Sequence, residues 1–422
     1  MLRTKDVFTP GGQPEITYVS REHLGIENKL DKAIEKGYSI VAVTGATKSG
    51  KTVLCNNVLG GSPSVWVQGG QFSTEIEFWD QIAHKLELVN NRCETASKAV
   101  VDGSKFSAKA GVNLGANIGG ATESTSSTSS QKAETRSYST NTKLACLAAL
   151  KAGNICLVID DFHYVPKATQ QLVVRGLKAE VFSGLSIIIL AVPHRAFDAI
   201  SVEKELEGRF RHVEMPNWSR EDLSKIPELG NPALNVTCTT ETIEGFAEEA
   251  LGSPLLMQSF CSSMCINRGI KTAQEQLSDI TPTYDETRTI YLEVAEDFGL
   301  PTYKLLWAGP QSRKPRIQRK TIDGQDVDKY QAILMAVART GPLAEITYDQ
   351  IKDAMRQILV GELPQKHEIT QALAQMGKIA QRSSEISAQG LGEPAIEWDG
   401  EGDTLYVVDP YLRFYMKWGI PQ

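Results

Sequence analysis

At 422 residues the chain exceeds one ordinary domain, and two or three are expected. Its composition, 41% hydrophobic and 23% charged, is that of a soluble globular protein, and no apolar run approaches the length of a membrane span. A net charge of −7 argues against a wholesale nucleic-acid coat while leaving room for a local basic patch.

The opening residues, "MLRTKDVFTPGGQ", lack a signal-peptide core, so a cytoplasmic protein is expected. After this turn-rich leader, "VSREHLGIENKLDKAIEKG" has helical spacing in Leu24, Leu30 and Ile34, and residues 1–38 read as a leader and a first helix. The β-branched run Ile40–Thr44 reads as a buried strand, and Gly50 onward as a helix. "PSVWVQG" (63–69) predicts a second strand and "TEIEFWDQIAHKLELV" (74–89) a second helix. "NICLVIDD" (154–161) and "LSIIILAVP" (185–193) add two short apolar strands with helical sequence between them. Strands alternating with helices predict an α/β core over 39–215, a mostly parallel sheet flanked by helices.

Residues 104–142 interrupt that rhythm. Their first part alternates like a hairpin, and "ATESTSSTSSQKAETRSYSTNT" is Ser/Thr-rich and poor in apolar residues. A tolerated surface loop and a partner- or DNA-contacting insert are equally open readings. From about Pro216 the strands stop, and 216–308 reads as an all-α lid. A basic linker follows over 309–325, with Arg313, Lys314, Arg316, Arg319 and Lys320 concentrated in 313–320. In 326–422, three helical stretches precede two alternating strand candidates around Asp-Gly-Glu-Gly-Asp, the pattern of a winged-helix domain.

Gly45-Ala46-Thr47-Lys48-Ser49-Gly50-Lys51-Thr52 satisfies G-x-x-x-x-G-K-[ST] completely, between a buried strand and a helix. The stretch from Gly45 to Val53 is therefore the expected phosphate-binding site. Loop N–H groups and the helix N-terminus form a positive nest, and Gly50 lets the backbone pass close to phosphate. Lys51 reaches the β- and γ-oxygens, while the Thr52 hydroxyl is a ligand for Mg²⁺. "ICLVIDD" supplies the complement at a strand end: Asp160 for the Mg²⁺ shell, and Asp161 to orient or polarise the attacking water. The carboxylate pair favours hydrolysis over donation of phosphate to an acceptor. His194, after the next strand, is a candidate for facing the γ-phosphate, against the alternative of a loop histidine without nucleotide contact. Arg209 and Arg211 flank Phe210; one of them reaching a neighbouring subunit's γ-phosphate competes with both being solvated surface groups.

Seven cysteines without a C-x-x-C pair suggest neither a disulfide framework nor a zinc site. Cys261 and Cys265, one helical turn apart, read as small buried residues.

Together, "GATKSGKT", "LVIDD", "VPH" and "GRF" resemble the AAA+/STAND side of the P-loop ATPases. The similarity is to the origin-recognition-like and archaeal or bacterial branch with a helical lid and a winged helix, and it spans about 18–420 apart from the insert. "YVSREH" is similar to a family segment that packs near adenine, which implies that role for Arg21. "GSP" (252–254) resembles a lid element whose proline, here Pro254, contacts the nucleotide. "YVVDPYLRFYMKW" is similar to the end of the family's winged helix. Two departures stand out: Asp161 where classical members place Glu, and no arginine near "GSPLLM".

The resemblance implies a Mg²⁺-ATP-hydrolysing homo-oligomer that acts on DNA or a partner protein, in a mobile-element, replication-initiator-like or phage-defence setting. The alternative is a nucleotide-switched signalling scaffold that hydrolyses slowly or not at all and recruits an effector. A small-molecule kinase is a third and weaker reading, because it has no use for a lid and a winged helix. Residues 326–422 carry nine Lys or Arg against fourteen Asp or Glu, and Glu397, Asp399, Glu401 and Asp403 on the hairpin would repel DNA phosphates. Lys366, Lys378 and Arg382 are all that the recognition-helix position offers. A winged helix that packs between subunits or locks the ATPase therefore competes with one that reads DNA. DNA, if bound, is expected on 313–320, on Lys105 and Lys109 of the insert and in an oligomer channel, against the alternative of a merely solvated basic linker.

Overall fold

A computed structural model of the protein describes residues 1–88, 93–96, 133–137, 141–192, 210–386 and 394–420. Contacts divide the chain into two compact units: Met1–Phe78 with Leu150–Gln422, and Trp79–Ala149. In chain order the first elements are α1 (Thr4–Val7), α2 (Ile26–Glu35), β1 (Ile40–Thr44), α3 (Lys51–Leu59), β2 (Ser64–Gln68) and α4 (Glu75–Lys85). The helical spacing that begins at Val19 becomes a helix only at Ile26, because Gly25 (φ 59°) turns the chain out of a short 3₁₀ turn over Glu22–Leu24.

Next come β3 (Cys93–Ala96), β4 (Ala133–Ser137), α5 (Thr142–Ala152), β5 (Cys156–Asp160), α6 (Lys167–Phe182), β6 (Ile187–Ala191) and β7 (Phe210–Glu214). Within the smaller unit β3 and β4 pair antiparallel with a register shift, and the Cys146 thiol donates to the Trp79 carbonyl at 3.4 Å. Most of the 104–142 insert, including Lys105 and Lys109 and the hairpin-like first part, lies outside the described residues.

The larger unit holds a five-stranded sheet in the order β2-β5-β6-β1-β7, parallel throughout. β1, β5 and β6 are buried at every position. One face, with Val41, Val43, Val158, Ile188 and Leu190, packs on Ile26 and Leu30 of α2 and Leu54 and Leu59 of α3. The alternate residues Ile40, Leu157, Ile159, Ile187 and Ile189 are buried too, which is why these strands read as continuous apolar runs. Parallel pairing brings all the strand C-termini to one edge, where a crevice for ligand forms.

Helical structure then dominates, through α7 (Arg220–Leu234), β8 (Val236–Thr237), α8 (Thr240–Glu249), α9 (Pro254–Asn267), β9 (Ser278–Asp279), α10 (Tyr284–Phe298) and α11 (Leu300–Ala308). The expected all-α region thus contains one short strand pair, β8 with β9. A capping box between Thr283 and Glu286 starts α10.

The rest runs through β10 (Arg319–Lys320), β11 (Asp326–Val327), α12 (Lys329–Arg339), β12 (Glu345–Thr347), α13 (Tyr348–Arg356), α14 (Lys366–Ile386), β13 (Ile396–Asp399), β14 (Thr404–Val407) and α15 (Pro410–Trp418). Three helices precede the β13–β14 hairpin, as the sequence predicts, and β12 adds a third antiparallel strand beside β14. The linker is not free chain. Arg316 donates to Asp328 (2.5 Å) and to the Ala308 carbonyl (2.9 Å) and lies 4.8 Å from the Tyr330 ring centroid, while Arg319 reaches Glu368 at 3.4 Å. Arg313, Lys314 and Lys320 remain exposed.

One apolar cluster joins these helices to the C-terminal segment. Phe260 of α9 sits 5.5 Å from Phe246, 5.1 Å from Tyr291 and 5.0 Å from Phe414, centroid to centroid. Phe260 is fully buried, so Phe260→Ala is expected to remove about 3–5 kcal/mol of stability. Urea unfolding checks this, and a loss under about 1 kcal/mol would show that the cluster does not bind the two segments together.

Candidate functional site

β1 ends at Thr44, and the chain turns through Gly45–Gly50 into α3, so α3 points its N-terminus at the loop's interior. Gly50 has φ 95°, a conformation that side-chain-bearing residues rarely adopt. Lys51, 6% exposed, donates to the Gly45 and Ala46 carbonyls at 3.0 Å each and so lies folded along its own loop. The Thr47 hydroxyl is buried without a partner. Lys48, at the loop's crest, adopts φ 57° and pairs with Asp409 at 3.0 Å. The Ser49 carbonyl accepts from Trp218 Nε1 (2.8 Å), and the Ser49 hydroxyl donates to the Met215 sulfur (3.6 Å).

β5 delivers Asp160 to the same edge, 6% exposed. Its Oδ2 accepts from the Thr52 hydroxyl at 2.9 Å, and its Oδ1 from the Asp161 N–H at 3.0 Å. Burial pushes the Asp160 carboxyl above the ordinary carboxylate range, against the opposing pull of Thr52, Lys51, the Asp161 N–H and Gln68. Asp161 takes φ 54°, a left-handed backbone that costs a non-glycine residue on the order of 1 kcal/mol and recurs at functional sites. Gly69 allows this: a Cβ there would lie 2.2 Å from the Asp161 carbonyl oxygen. β6 inserts between β1 and β5, so its C-terminal end emerges between loop and carboxylates. His194, just beyond it, and Arg209, just before β7, lie outside the described residues.

Arg21 is 5% exposed. Its Nη1 donates to the Pro216 carbonyl (2.8 Å), its guanidinium lies 4.5 Å from the Trp218 ring centroid, and its Nη2 has no partner. Burial lowers its pKa, with Asp222 pulling the other way. Glu27 accepts from the Tyr18 and Ser20 hydroxyls and pins this segment to α2. Pro254 is the first residue of α9, whose N-cap Ser253 bonds the Leu256 N–H. Arg211 sits away from this edge, paired in register with Val41 near the start of β1, and donates to Ser39 Oγ at 2.9 Å.

These parts surround one cavity of about 800 Å³. Its polar part carries Lys48, Gly50, Lys51, Thr52, Asp160 and Asp161; Val19, Ile26, Trp218, Ile226, Pro254 and Leu255 supply an apolar part beside Arg21. An anionic chain joined to a flat heterocycle has that distribution of polarity. Among the described residues no cluster of three or more His, Cys, Asp or Glu is built to hold a metal alone. Mg²⁺ does not need one, since it is commonly held by one or two carboxylates together with substrate phosphates. Thr52 and Asp160 fit that donor set. Sequence reading missed Trp218, Gln68 and Asp409. A tryptophan just past the last core strand was the available signal for the first; nothing local marks the others.

No protein-family model matches the sequence, and no curated protein matches it. Among solved structures the chain resembles the Walker-type ATPase PABY2304 of Pyrococcus abyssi at 14% identity, covering 94% of this chain and 96% of that one with a TM-score of 0.51. The ORC2 protein of Aeropyrum pernix in its ADPNP–ADP complexes (12% identity, 98% and 97% covered, TM-score 0.47) and Cdc6p of Pyrobaculum aerophilum (12%, 97% and 96%, 0.42) are more distant in geometry. The first similarity shows the fold alone: a parallel sheet flanked by helices and followed by a helical region, shared with that structure over nearly the whole chain.

The site predicts a trade between stability and binding. Because the folded-state pKa of Asp160 is raised, its contribution to stability is fully present below the unfolded-state pKa and is lost as pH rises through the folded value. At pH 7 Asp160→Asn is therefore expected to melt no lower than wild type without ligand, while binding Mg²⁺-nucleotide more weakly. The melting difference should shrink as pH falls below the ordinary carboxylate range. Thermal unfolding across pH checks this; a markedly lower melting temperature at pH 7 would mean that the hydrogen bonds of Asp160 outweigh its burial.

Proposed function

We propose that the protein binds Mg²⁺-ATP at the Gly45–Val53 loop, hydrolyses it, and changes assembly state with the nucleotide to act on DNA or a partner protein. The observation that carries the reading is the Thr52–Asp160 hydrogen bond, at a complete phosphate loop facing an 800 Å³ cavity. When bound, Mg²⁺ held by Thr52 and Asp160 would neutralise charge on the β- and γ-phosphate oxygens.

The chain's own groups divide the remaining work. Loop N–H groups and Lys51 hold phosphate, Lys51 by giving up its contacts with the Gly45 and Ala46 carbonyls. Arg21, Trp218 and Pro254, which line the cavity, would border the heterocycle. Asp161, beside Asp160, orients the attacking water and takes up its proton. His194 and Arg209 remain candidates for the γ-phosphate. Arg211, on edge strand β7 and held by Ser39, serves only a neighbouring subunit in this reading.

The C-terminal helices and hairpin are read as a winged helix that packs rather than reads DNA. Glu397 is buried, so the hairpin is less acidic to an approaching phosphate than its sequence implies, but Asp399 and Glu401 are exposed and Lys366 is spent on Asp403 at 2.7 Å. Within 313–320, DNA contact would fall to Arg313, Lys314 and Lys320, since Arg316 and Arg319 have internal partners; Lys105 and Lys109 of the insert stay candidates beside them. A scaffold that turns over slowly is the second reading. Its support is Asp161, one methylene shorter than the usual glutamate and held on a strained backbone.

Multiple-turnover assays separate the two. Lys51→Ala should abolish nucleotide binding, and Asp161→Ala should keep binding while lowering turnover by about 10²-fold or more. Chelating Mg²⁺ should stop turnover. No wild-type turnover, with or without DNA, would sink the enzyme reading in favour of the scaffold. Mass in solution should grow with an ATP analogue relative to ADP, and an invariant monomer would refute the role of Arg209 or Arg211 between subunits.

A further inference from the structure

We infer that Asp409 is a positioning residue of the nucleotide site: from the start of the last helix it holds Lys48 of the phosphate loop, and an entering phosphate chain competes with it for that ammonium. The inference rests on the nucleotide-binding reading and adds to it a link between the phosphate loop and the end of the chain.

The pair is built rather than incidental. Lys48 Nζ lies 3.0 Å from Asp409 Oδ1 and 5.2 Å from the Tyr411 ring centroid. Side-chain exposure is 34% for Lys48 and 17% for Asp409, so water screens the pair less than a fully exposed one. Lys48 is also in left-handed backbone, which persists where surroundings determine it. Asp409 is fixed from its own side. Its Oδ1 caps α15 through the Tyr411 N–H at 2.8 Å, and its backbone N–H donates to the Ala395 carbonyl at 3.1 Å. α15 is in turn bedded on the helix that begins with Pro254, through the hydrogen bond of 2.8 Å between the Tyr411 and Ser259 hydroxyls. Lys417, near its other end, pairs with Glu249 at 2.8 Å.

Charge decides what a phosphate does here. The cavity lining holds three cations, Arg21, Lys48 and Lys51, and four carboxylates, Glu27, Asp160, Asp161 and Asp409. Glu27 is engaged by Tyr18 and Ser20, and Asp160 by Thr52. Asp409 is the carboxylate bound to a loop cation, so it occupies part of the positive charge that phosphate would use. An anion in the loop attracts Lys48 and repels Asp409. By linkage, whatever Asp409 takes from phosphate affinity, phosphate takes from the hold on α15.

Asp409→Asn tests this in the full chain, because asparagine still caps a helix and only the charge is lost. Two readouts are needed. Without nucleotide, amide hydrogen exchange over 45–52 should be faster in Asp409→Asn than in wild type. With Mg²⁺-ATP, calorimetry should show binding about 2- to 5-fold tighter in the variant at low salt, the scale of a partly exposed ion pair, with the gap closing at high salt. Unchanged loop exchange overturns the inference whatever the affinities are. Faster exchange with unchanged or weaker ATP binding also overturns it, since Asp409 would then only brace the helix. If the wild type binds neither ATP nor ADP, the nucleotide reading itself falls, and the exchange comparison still decides whether Asp409 holds the loop.

Discussion

A carboxylate held away from water needs partners, and Asp160 draws its own from three stretches of chain. Thr52 comes from the first turn of α3, Gln68 from the end of β2, and the Asp161 N–H from its own strand end. These bonds stitch α3 to two strand termini across the intervening β6, which separates β1 from β5. The cost of burying the charge is therefore spent on fixing the relative position of loop and carboxylates. Asp161 extends the pattern, since its left-handed backbone is tolerated only with Gly69 beside it. A site assembled from unfavourable pieces is stable because the surrounding parallel sheet, buried on both faces, supplies the apolar burial they lack.

Beyond the sheet, the helices after β7 and the C-terminal segment share one apolar cluster. α15 contributes Tyr411, Leu412, Phe414, Tyr415 and Met416 to it. Phe414 meets Phe260 and Tyr291, Tyr411 stacks on Phe298 at 4.5 Å, and Trp418 lies 4.8 Å from Tyr291 while donating to Glu249 at 2.7 Å. Aromatic rings packed at these distances do not slide past one another cheaply. α9, α10 and α15 thus move together or unpack together, and what pulls on one end of α15 is felt along the helix on which Pro254 sits.

The sequence was most legible where chemistry and pattern coincide. The G-x-x-x-x-G-K-T motif and the Asp160-Asp161 pair, which the fold brings to one sheet edge, are each written in a few consecutive residues, and β1, β5 and β6 announce themselves because full burial leaves them wholly apolar. The β13–β14 hairpin was legible for a similar reason, its turn residues being local. Other features were hidden because their cause lies far along the chain. β12 is three residues long and exists only by pairing with β14. α7 continues through Pro227 and Pro232, which local rules would end, because Leu223, Ile226, Pro227 and Leu234 are buried together. Arg316 reads as part of a basic linker until Asp328 and Tyr330 are seen beside it. Glu397 reads as an exposed charge, yet it is buried next to Ile396 on β13.

That redistribution of charge bears on how nucleotide state would be communicated. A wing that grips DNA gains affinity by releasing counterions from phosphate, which requires free cations on its surface. Here Lys366 is held by Asp403 and stacked 4.9 Å from the Tyr348 centroid, while Asp399 and Glu401 are exposed beside it. The cations that line the cavity are Lys48, Lys51 and Arg21, and each is already committed to a protein group: Asp409, loop carbonyls, and the Pro216 carbonyl. Under the proposed reading, binding is an exchange of partners. Each internal contact surrendered loosens a different element, the last helix through Lys48, the loop through Lys51 and the first segment through Arg21. The chain's response to phosphate would then be set less by attraction to the ligand than by which of these contacts is weakest.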